Sequence, residues 1–359
     1  MLRSTLPLLR CPKREKKGFC HGELKLLTEE KSKDVLYGDL QCEKCRSIYP
    51  ILEGVAILVD DVRTYLLMHV KGISKNVPDA KIPKKYRNEY LEYKAEIQEE
   101  HIEEDLESDR VNALYLMNHY LDAKQMVRKS EDPLIRDLIQ KHWDQNPFSH
   151  VKEWITGDST VVELGCGVGG LYRSIAKKVK LYLGVDSSFQ SILIARHLNL
   201  GAPFKGELKT PKDLLQGNLS EKFSYSRPEA NPANVDFIVG DIDATPLLPE
   251  YFDISVSLNA IDMLEDPKAL PEHMKWTLKV GGIAIQSGPY IWHERIARKL
   301  RSILPKDISE SGRAVEWLFD KLGLIIRDRK DHLPWLFFKH GRQLELYSVH
   351  LLKAQKSRK

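Results

Sequence analysis

Two sets of residues in this chain have the types and spacing to do chemistry. Four of its five cysteines fall in its first 45 residues, at Cys11, Cys20, Cys42 and Cys45. The second pair is C-x-x-C, in which two thiolates converge on one ion from a single tight turn, and the first pair is more widely spaced. Four soft ligands in two pairs suit a closed tetrahedral zinc site that contributes folding energy. Disulfides are the rival reading and need an oxidising compartment, which the rest of the chain does not suggest. His21 follows Cys20 directly, and adjacent residues rarely both reach one metal. The other set begins V-V-E-L-G-C-G-V-G-G, from Val161 to Gly170, and ends on Asp186. Glycines at Gly165, Gly167, Gly169 and Gly170 let the chain leave a strand sharply and let a ligand lie against bare backbone. Asp186 then stands at the tip of the next strand, where a carboxylate can accept hydrogen bonds from a ribose diol.

Spacing alone admits two cofactors. Gly165, Gly167 and Gly170 satisfy G-x-G-x-x-G, with an acid about twenty residues on, as a dinucleotide site requires. Glu163 breaks the tie: two residues before the first glycine a dinucleotide site is seldom charged, and a buried carboxylate is costly unless it is paired. On Glu163, Gly165, Gly167 and Gly169 the chain resembles the class I S-adenosylmethionine-dependent methyltransferases, whose first motif is acidic-x-Gly-x-Gly-x-Gly. That resemblance implies a loop passing under the methionine and ribose parts of S-adenosylmethionine, with Asp186 on the ribose hydroxyls. In G-D-I-D-A-T-P-L it implies that Asp241 and the Ile242 amide hold the adenine, with Asp243 able to share the task. The implied cofactor set is therefore Glu163, Gly165, Cys166, Gly167, Gly169, Asp186, Asp241, Ile242 and Asn259. Asn259 lies in S-L-N-A-I-D-M-L-E-D-P (Ser257 to Pro267), which matches the place where the methyl group is presented. The Asn-Pro-Pro-Tyr tetrad that grips planar amides is missing there, which disfavours glutamine or adenine as acceptor. The segments S-G-P-Y-I-W-H (Ser287 to His293) and P-W-L-F-F-K-H (Pro334 to His340) resemble carnosine N-methyltransferase-like enzymes, and Tyr290 and Trp292 are candidates for a substrate wall.

Around the cysteines, L-R-C-P, C-H-G-E-L, L-Q-C-E-K-C and Y-P-I-L-E-G-V-A-I-L resemble the small zinc-ribbon activator subunits of RNA and translation-factor methyltransferases. The family's first knuckle is C-x-x-C, whereas here K-R-E-K-K-G-F separates Pro12 from Cys20. A longer loop costs only modest closure entropy. Lys13, Arg14, Lys16 and Lys17 on that tip could touch a phosphate backbone, although such a cluster is ordinarily a solvated loop.

The elements that must position these residues follow from the pattern of the remaining chain. At 359 residues with a net charge of +4, it is long enough for two or three domains and is not a strongly basic nucleic-acid binder. No apolar run is long enough for a membrane span. Met1 to Arg10 reads as a strand leading into the metal site. Residues 61–154 are nearly free of glycine and read as helices, acidic from Glu99 to Asp109, with Asp132-Pro133 opening one of them. Past the first βαβ unit come a helix at Ser187–Leu200 and strands at Asp236–Asp241, Asp253–Leu258 and Ile283–Ser287. A helix at Arg313–Leu322 and strands at Leu324–Arg329 and Leu344–Leu352 close the chain. Alternating strands and helices imply a parallel sheet covered on both faces. The insertion Gly201 to Asn234 is too long for an ordinary loop and reads as a mobile flap or a substrate-side embellishment.

The expected architecture is α/β: a seven-stranded Rossmann-like methyltransferase sheet, last strand antiparallel, at 155–359, a helical linker or cap at 61–154, and a zinc ribbon at 1–60. The expected function is S-adenosylmethionine-dependent methyl transfer to a small amine, RNA or protein in the cytoplasm, with structural zinc. Two other readings stand beside it: an inactive cofactor fold that binds RNA or a protein through the ribbon, and an NAD-dependent oxidoreductase, which the final hairpin disfavours. If the acceptor must lose a proton, His119, Asp262 and His293 are candidate bases.

Overall fold

The computed structural model describes residues 1–100, 102–155, 157–211, 220–225 and 234–358, with side chains described outside 98–109. Eleven strands belong to one sheet: β1 (Leu24–Leu27), β2 (Gly38–Cys42), β3 (Ile48–Leu52), β4 (Val55–Leu58), β5 (Ser159–Leu164), β6 (Val179–Asp186), β7 (Val235–Gly240), β8 (Phe252–Leu258), β9 (Leu278–Gly288), β10 (Leu324–His340) and β11 (Gln343–Lys356). Their order across the sheet is β10-β11-β9-β8-β5-β6-β7-β4-β3-β2-β1. The expected seven are present as β5 to β11, and the count of seven is corrected to eleven because the ribbon's four strands extend the same sheet. The join is parallel, with Val239 opposite Ile57 and Gly240 opposite Leu58. All four residues of β4 are buried, as a strand covered on both faces requires.

By compactness the chain divides into two units. The first comprises Met1–Leu121, Gly167–Arg173 and Leu183–Leu248. Within it, β1 to β4 form an antiparallel meander, and β4 continues onto β7. Met1 to Arg10 is not the strand expected: Arg3–Leu8 is a 3-10 helix with Pro7 inside it. Leu8 and Arg10 bond instead to the segment after β7, through Leu248 N to Leu8 O (2.7 Å) and Arg10 N to Pro246 O (2.8 Å). The helix Phe189–Leu200 is capped by Ser188, which accepts from the Ser191 amide, and ends on Gly201 at φ +78°, where a Cβ is disfavoured.

The second unit comprises Asp122–Cys166, Ser174–Tyr182 and Pro249–Lys359. Here β8 pairs parallel with β5 and with β9, whereas β11 runs antiparallel to β9 and to β10. The final hairpin is therefore antiparallel as expected, but its strands run well past the expected ends. Asp132 caps the helix Pro133–His142 with proline in its first turn. Of the 201–234 insertion, Lys209–Pro211 and Ser220–Lys222 pair as a short antiparallel ladder, and the rest of its length from 212 to 219 and from 226 to 233 lies outside the described residues. The acidic run from Glu99 to Asp109 likewise lies outside the described side chains. No helix among the described residues is long and apolar enough to cross a membrane.

Candidate functional site

The glycine loop and the distant acid meet in the first unit. The Gly167 amide donates to Asp186 Oδ2 at 2.8 Å, and the Ser188 amide donates to Asp186 Oδ1 at 2.8 Å. Burial raises the Asp186 carboxyl above its ordinary range, and the amides of Ser188, Gly167 and Ser187 pull it back. Gly165, Gly167 and Gly169 all have positive φ, at 78°, 50° and 76°. The neighbours distinguish two of them. A Cβ on Gly169 would meet the Phe237 ring at 2.8 Å and Asn199 at 2.9 Å, whereas one on Gly167 would meet nothing within 4 Å. Gly169 therefore serves packing, and Gly167 leaves bare backbone facing free space, which is the room a ligand needs. These residues fit an adenosyl cofactor: an acid for a diol beside an open stretch of backbone.

Two tyrosines that sequence reasoning missed stand near Asp186. Tyr65, from the helix Val62–Met68, donates its hydroxyl to Ser187 O at 2.7 Å. Tyr115 packs edge-on to His119, ring centroids 5.4 Å apart, and its phenol is raised first by burial and then by the Asp186 charge. His119 itself lies against the glycine loop: a Cβ on Gly170 would come within 2.7 Å of it. Burial lowers its pKa to about 4, so it is neutral at ordinary pH. Asp241 follows β7, and Ile242 opens a short 3-10 turn that also contains Asp243. Loss of surrounding water raises the Asp241 carboxyl, Arg14 opposes the rise and Asp60 adds to it. Lys75, Asn76, Asn112 and Gln190 share a cavity of about 300 Å³ with Phe204 and residues 206–209 of the insertion.

Other expected site residues lie in the second unit. Glu163 is 3% exposed, and the Tyr182 hydroxyl donates to its carboxylate, which offsets the cost of burying it. Cys166 is also buried. Asn259 adopts φ +58° just past β8. Its amide donates to Ser287 O at 2.8 Å, and its Oδ1 accepts from the Ser287 hydroxyl at 3.1 Å. Asp262 is buried and its Oδ2 accepts from the Ile291 amide at 2.7 Å, so it ties the loops after β8 and β9 together. His293 is exposed ahead of the helix Glu294–Ile303 and makes no side-chain cap bond to it. Tyr290 stacks on Trp292 with an interplanar angle of 3° and bonds His350 Nδ1 at 2.8 Å.

The four cysteines come together as the spacing implied. Their sulfurs all lie within 4.8 Å of one another, with Cys11 and Cys45 at 3.5 Å and Cys20 and Cys42 at 3.7 Å. Tetrahedral Zn–S bonds of ~2.3 Å put sulfurs about 3.8 Å apart, so the cluster fits zinc closely. Lengthening the first knuckle has not separated the ligands. It forms a separate small hairpin, Arg14–Glu15 with Gly18–Phe19, and Lys13 pairs with Asp60 at 3.1 Å. At the knuckles His21 and Arg46 take left-handed φ of 46° and 65°, and Gly22 lies so close to the cluster that a Cβ would be 2.6 Å from Cys42 Sγ. None of the cysteines is in a disulfide.

Residues 207–286 match the family described as "Methyltransferase domain", a stretch that contains Asp241, Ile242 and Asn259 but not the glycine loop. No curated protein matches the chain. Among solved structures, a chain from the complex of the Haloferax volcanii Trm112 methyltransferase activator with its partner is 17% identical, covering 65% of this chain and 98% of its own at a TM-score of 0.40. Magnesium protoporphyrin IX methyltransferase of Synechocystis PCC 6803, with bound SAH, is 16% identical, covering 66% and 93% at a TM-score of 0.38.

Proposed function

We propose that this chain transfers the methyl group of S-adenosylmethionine to an acceptor that is a small amine, an RNA or a protein. The observation that carries the reading is the Gly167–Asp186 hydrogen bond, which sets a diol-binding acid beside a backbone left bare. The match of residues 207–286 to a methyltransferase domain supports it. Gly165, Cys166 and Gly167 would cradle the methionine and ribose parts, with Gly169 packing the loop against Phe237 and Asn199. Asp186 would hold the ribose diol, and Asp241 with the Ile242 amide the adenine. Glu163 would support the strand before the loop, and Asn259 would face the methyl end. A bound sulfonium supplies both methyl and leaving group, so the protein's own contribution is to align the acceptor and exclude water. Of the three base candidates, His119 packs against Gly170, Asp262 accepts the Ile291 amide and His293 is exposed; the burial that keeps His119 neutral also makes it a weak base. Zinc on Cys11, Cys20, Cys42 and Cys45 would hold the ribbon and take no part in transfer.

A second reading is a binding module that keeps the cofactor fold without its activity and recognises RNA or a protein through the ribbon; the exposed Lys16 and Lys17 on its tip are what favour it. Calorimetric titration with S-adenosylmethionine separates the two. The wild type binds and Asp186→Ala weakens binding by tenfold or more under the enzymatic reading, while a relic binds nothing. Transfer of labelled methyl into small-molecule, RNA and protein fractions then identifies the acceptor class.

A further inference from the structure

Asp186 and Asp241 share a neighbour that comes from the ribbon side of the chain. Tyr65 is 8% exposed, and its phenol is raised well above its ordinary value, first by burial, then by Asp186, with Asp241 adding to the rise. The ring therefore lies within electrostatic reach of both the acid that ends β6 and the acid that follows β7. His69, one turn on, stacks against it with centroids 4.1 Å apart. The Tyr65 hydroxyl bonds Ser187 O, in the turn whose neighbouring amides grip Asp186.

The ribbon brings this side chain there. Strand β4 ends with Leu58 opposite Gly240, so the residues just past it run beside Asp241. Asp60 accepts the Arg14 amide at 2.8 Å and pairs with Lys13, both from the cysteine-held tip. Asp61 then caps the helix Val62–Met68 through the Thr64 amide, which sets Tyr65 in its first turn. Cluster, strand, cap and ring form one short continuous path.

We infer that Tyr65 is a positioning residue for the nucleoside end of the pocket, its ring a wall for the adenosine and its hydroxyl a strut for the turn that aims Asp186, and that metal and cofactor binding are coupled through it. The inference rests on the methyltransferase reading above. Coupling of this kind is reciprocal: metal at the four cysteines strengthens cofactor binding, and bound cofactor must strengthen metal retention by the same factor.

The test uses the full-length zinc-loaded protein with S-adenosylmethionine as the probe. Calorimetry is run on the wild type, Tyr65→Phe and Tyr65→Ala, and zinc release is followed against increasing chelator with and without the probe. Tyr65→Ala weakens binding at least tenfold and Tyr65→Phe about threefold or more; the probe raises the chelator concentration for half-release in the wild type and not in Tyr65→Ala. Should Tyr65→Ala fail to fold, Tyr65→Phe decides by the same two readouts. Unchanged affinity in the variants, or a wild-type chelator midpoint indifferent to the probe, overturns the assignment. A wild type that binds no S-adenosylmethionine is a different result, and it sinks the methyltransferase reading itself.

Discussion

The Gly167 amide and the Asp186 carboxylate, 19 residues apart in the chain, are joined by a 2.8 Å hydrogen bond. That bond makes the glycine loop and the acid one object, and it separates the consequences of two neighbouring substitutions. Gly167→Ala places a methyl group in free space and costs about 1–2 kcal/mol for a left-handed non-glycine residue, so the protein folds while cofactor affinity drops tenfold or more. Gly169→Ala drives a methyl group into Phe237 and Asn199 and lowers the melting temperature more than Gly167→Ala does. Thermal melts and calorimetry on the two variants check the contrast, and equal losses of stability would contradict it.

Protonation of Asp186 gives a pH dependence of definite sign. Burial raises its carboxyl above the ordinary value, and a ribose diol donates to the charged form, so S-adenosylmethionine binding weakens as pH falls through that raised value. The unliganded protein responds in the opposite sense. A carboxyl raised in the folded state contributes stability that is present below its unfolded value of 3.8 and is lost as pH rises through its folded value. Calorimetry between pH 8 and 4.5 should show affinity declining in the wild type and a flatter profile in Asp186→Asn.

Metal content is checked directly. Elemental analysis should find one zinc per chain, and Cys42→Ser should lose it and melt on the order of 10 °C lower. Cys166→Ser should retain it, because Cys166 is outside the cluster. Gly22→Ala should behave like a ligand mutant, since its Cβ would press on Cys42 Sγ. A Gly22→Ala protein with full zinc occupancy would show that the knuckle can shift to accept the methyl group.

Legibility in the sequence followed the range of the interactions. The glycine loop, Asp186 and the cysteine pairs are local patterns whose spacing encodes their geometry. The final hairpin is visible as two apolar runs, Leu324–Arg329 and Leu344–Leu352, although the extension of both strands to a tight turn between His340 and Gln343 is not. The ribbon's fusion to the sheet was not read, although V-A-I-L from Val55 to Leu58 carries a signal for it: an antiparallel ribbon edge should alternate, and a run apolar at every position marks a strand buried on both faces. Tyr65 had no such signature, because one tyrosine in a short helix looks like any core residue until the turn after Asp186 is brought against it. Met1 to Arg10 misleads because its leucines suggest a strand, while its backbone partners are scattered: Met1 and Arg3 bond Val35 and Lys33, and Leu8 and Arg10 bond Leu248 and Pro246, more than 230 residues away, where no local pattern can report them.

Arg196 shows the same limit and supports the last prediction. It sits in the apolar helix Phe189–Leu200 with its side chain fully buried, between Asp236 of β7 and Asp34 of the ribbon, the latter 2.6 Å away. Burial alone would push the Asp34 carboxyl up, but Arg196 and the amino group of Met1 bring it below its ordinary value. A Cβ on Gly54, in the turn between β3 and β4, would lie 2.9 Å from the guanidinium, so the arginine is packed as well as paired. Arg196→Ala removes the guanidinium that the two carboxylates share, leaving Asp34 with the Met1 amino group and Asp236 with the Leu2, Thr5 and Phe237 donors, and removing one partner of a buried ion network costs about 3–5 kcal/mol. Urea unfolding should report a loss of that size, with the ribbon's zinc released at lower chelator concentration than in the wild type. Arg196→Lys keeps the charge but cannot span both aspartates with a rigid fork, and should recover only part of the stability. A loss below ~1 kcal/mol in Arg196→Ala would mean that the pairing of β4 with β7 holds the ribbon in place without help from this network.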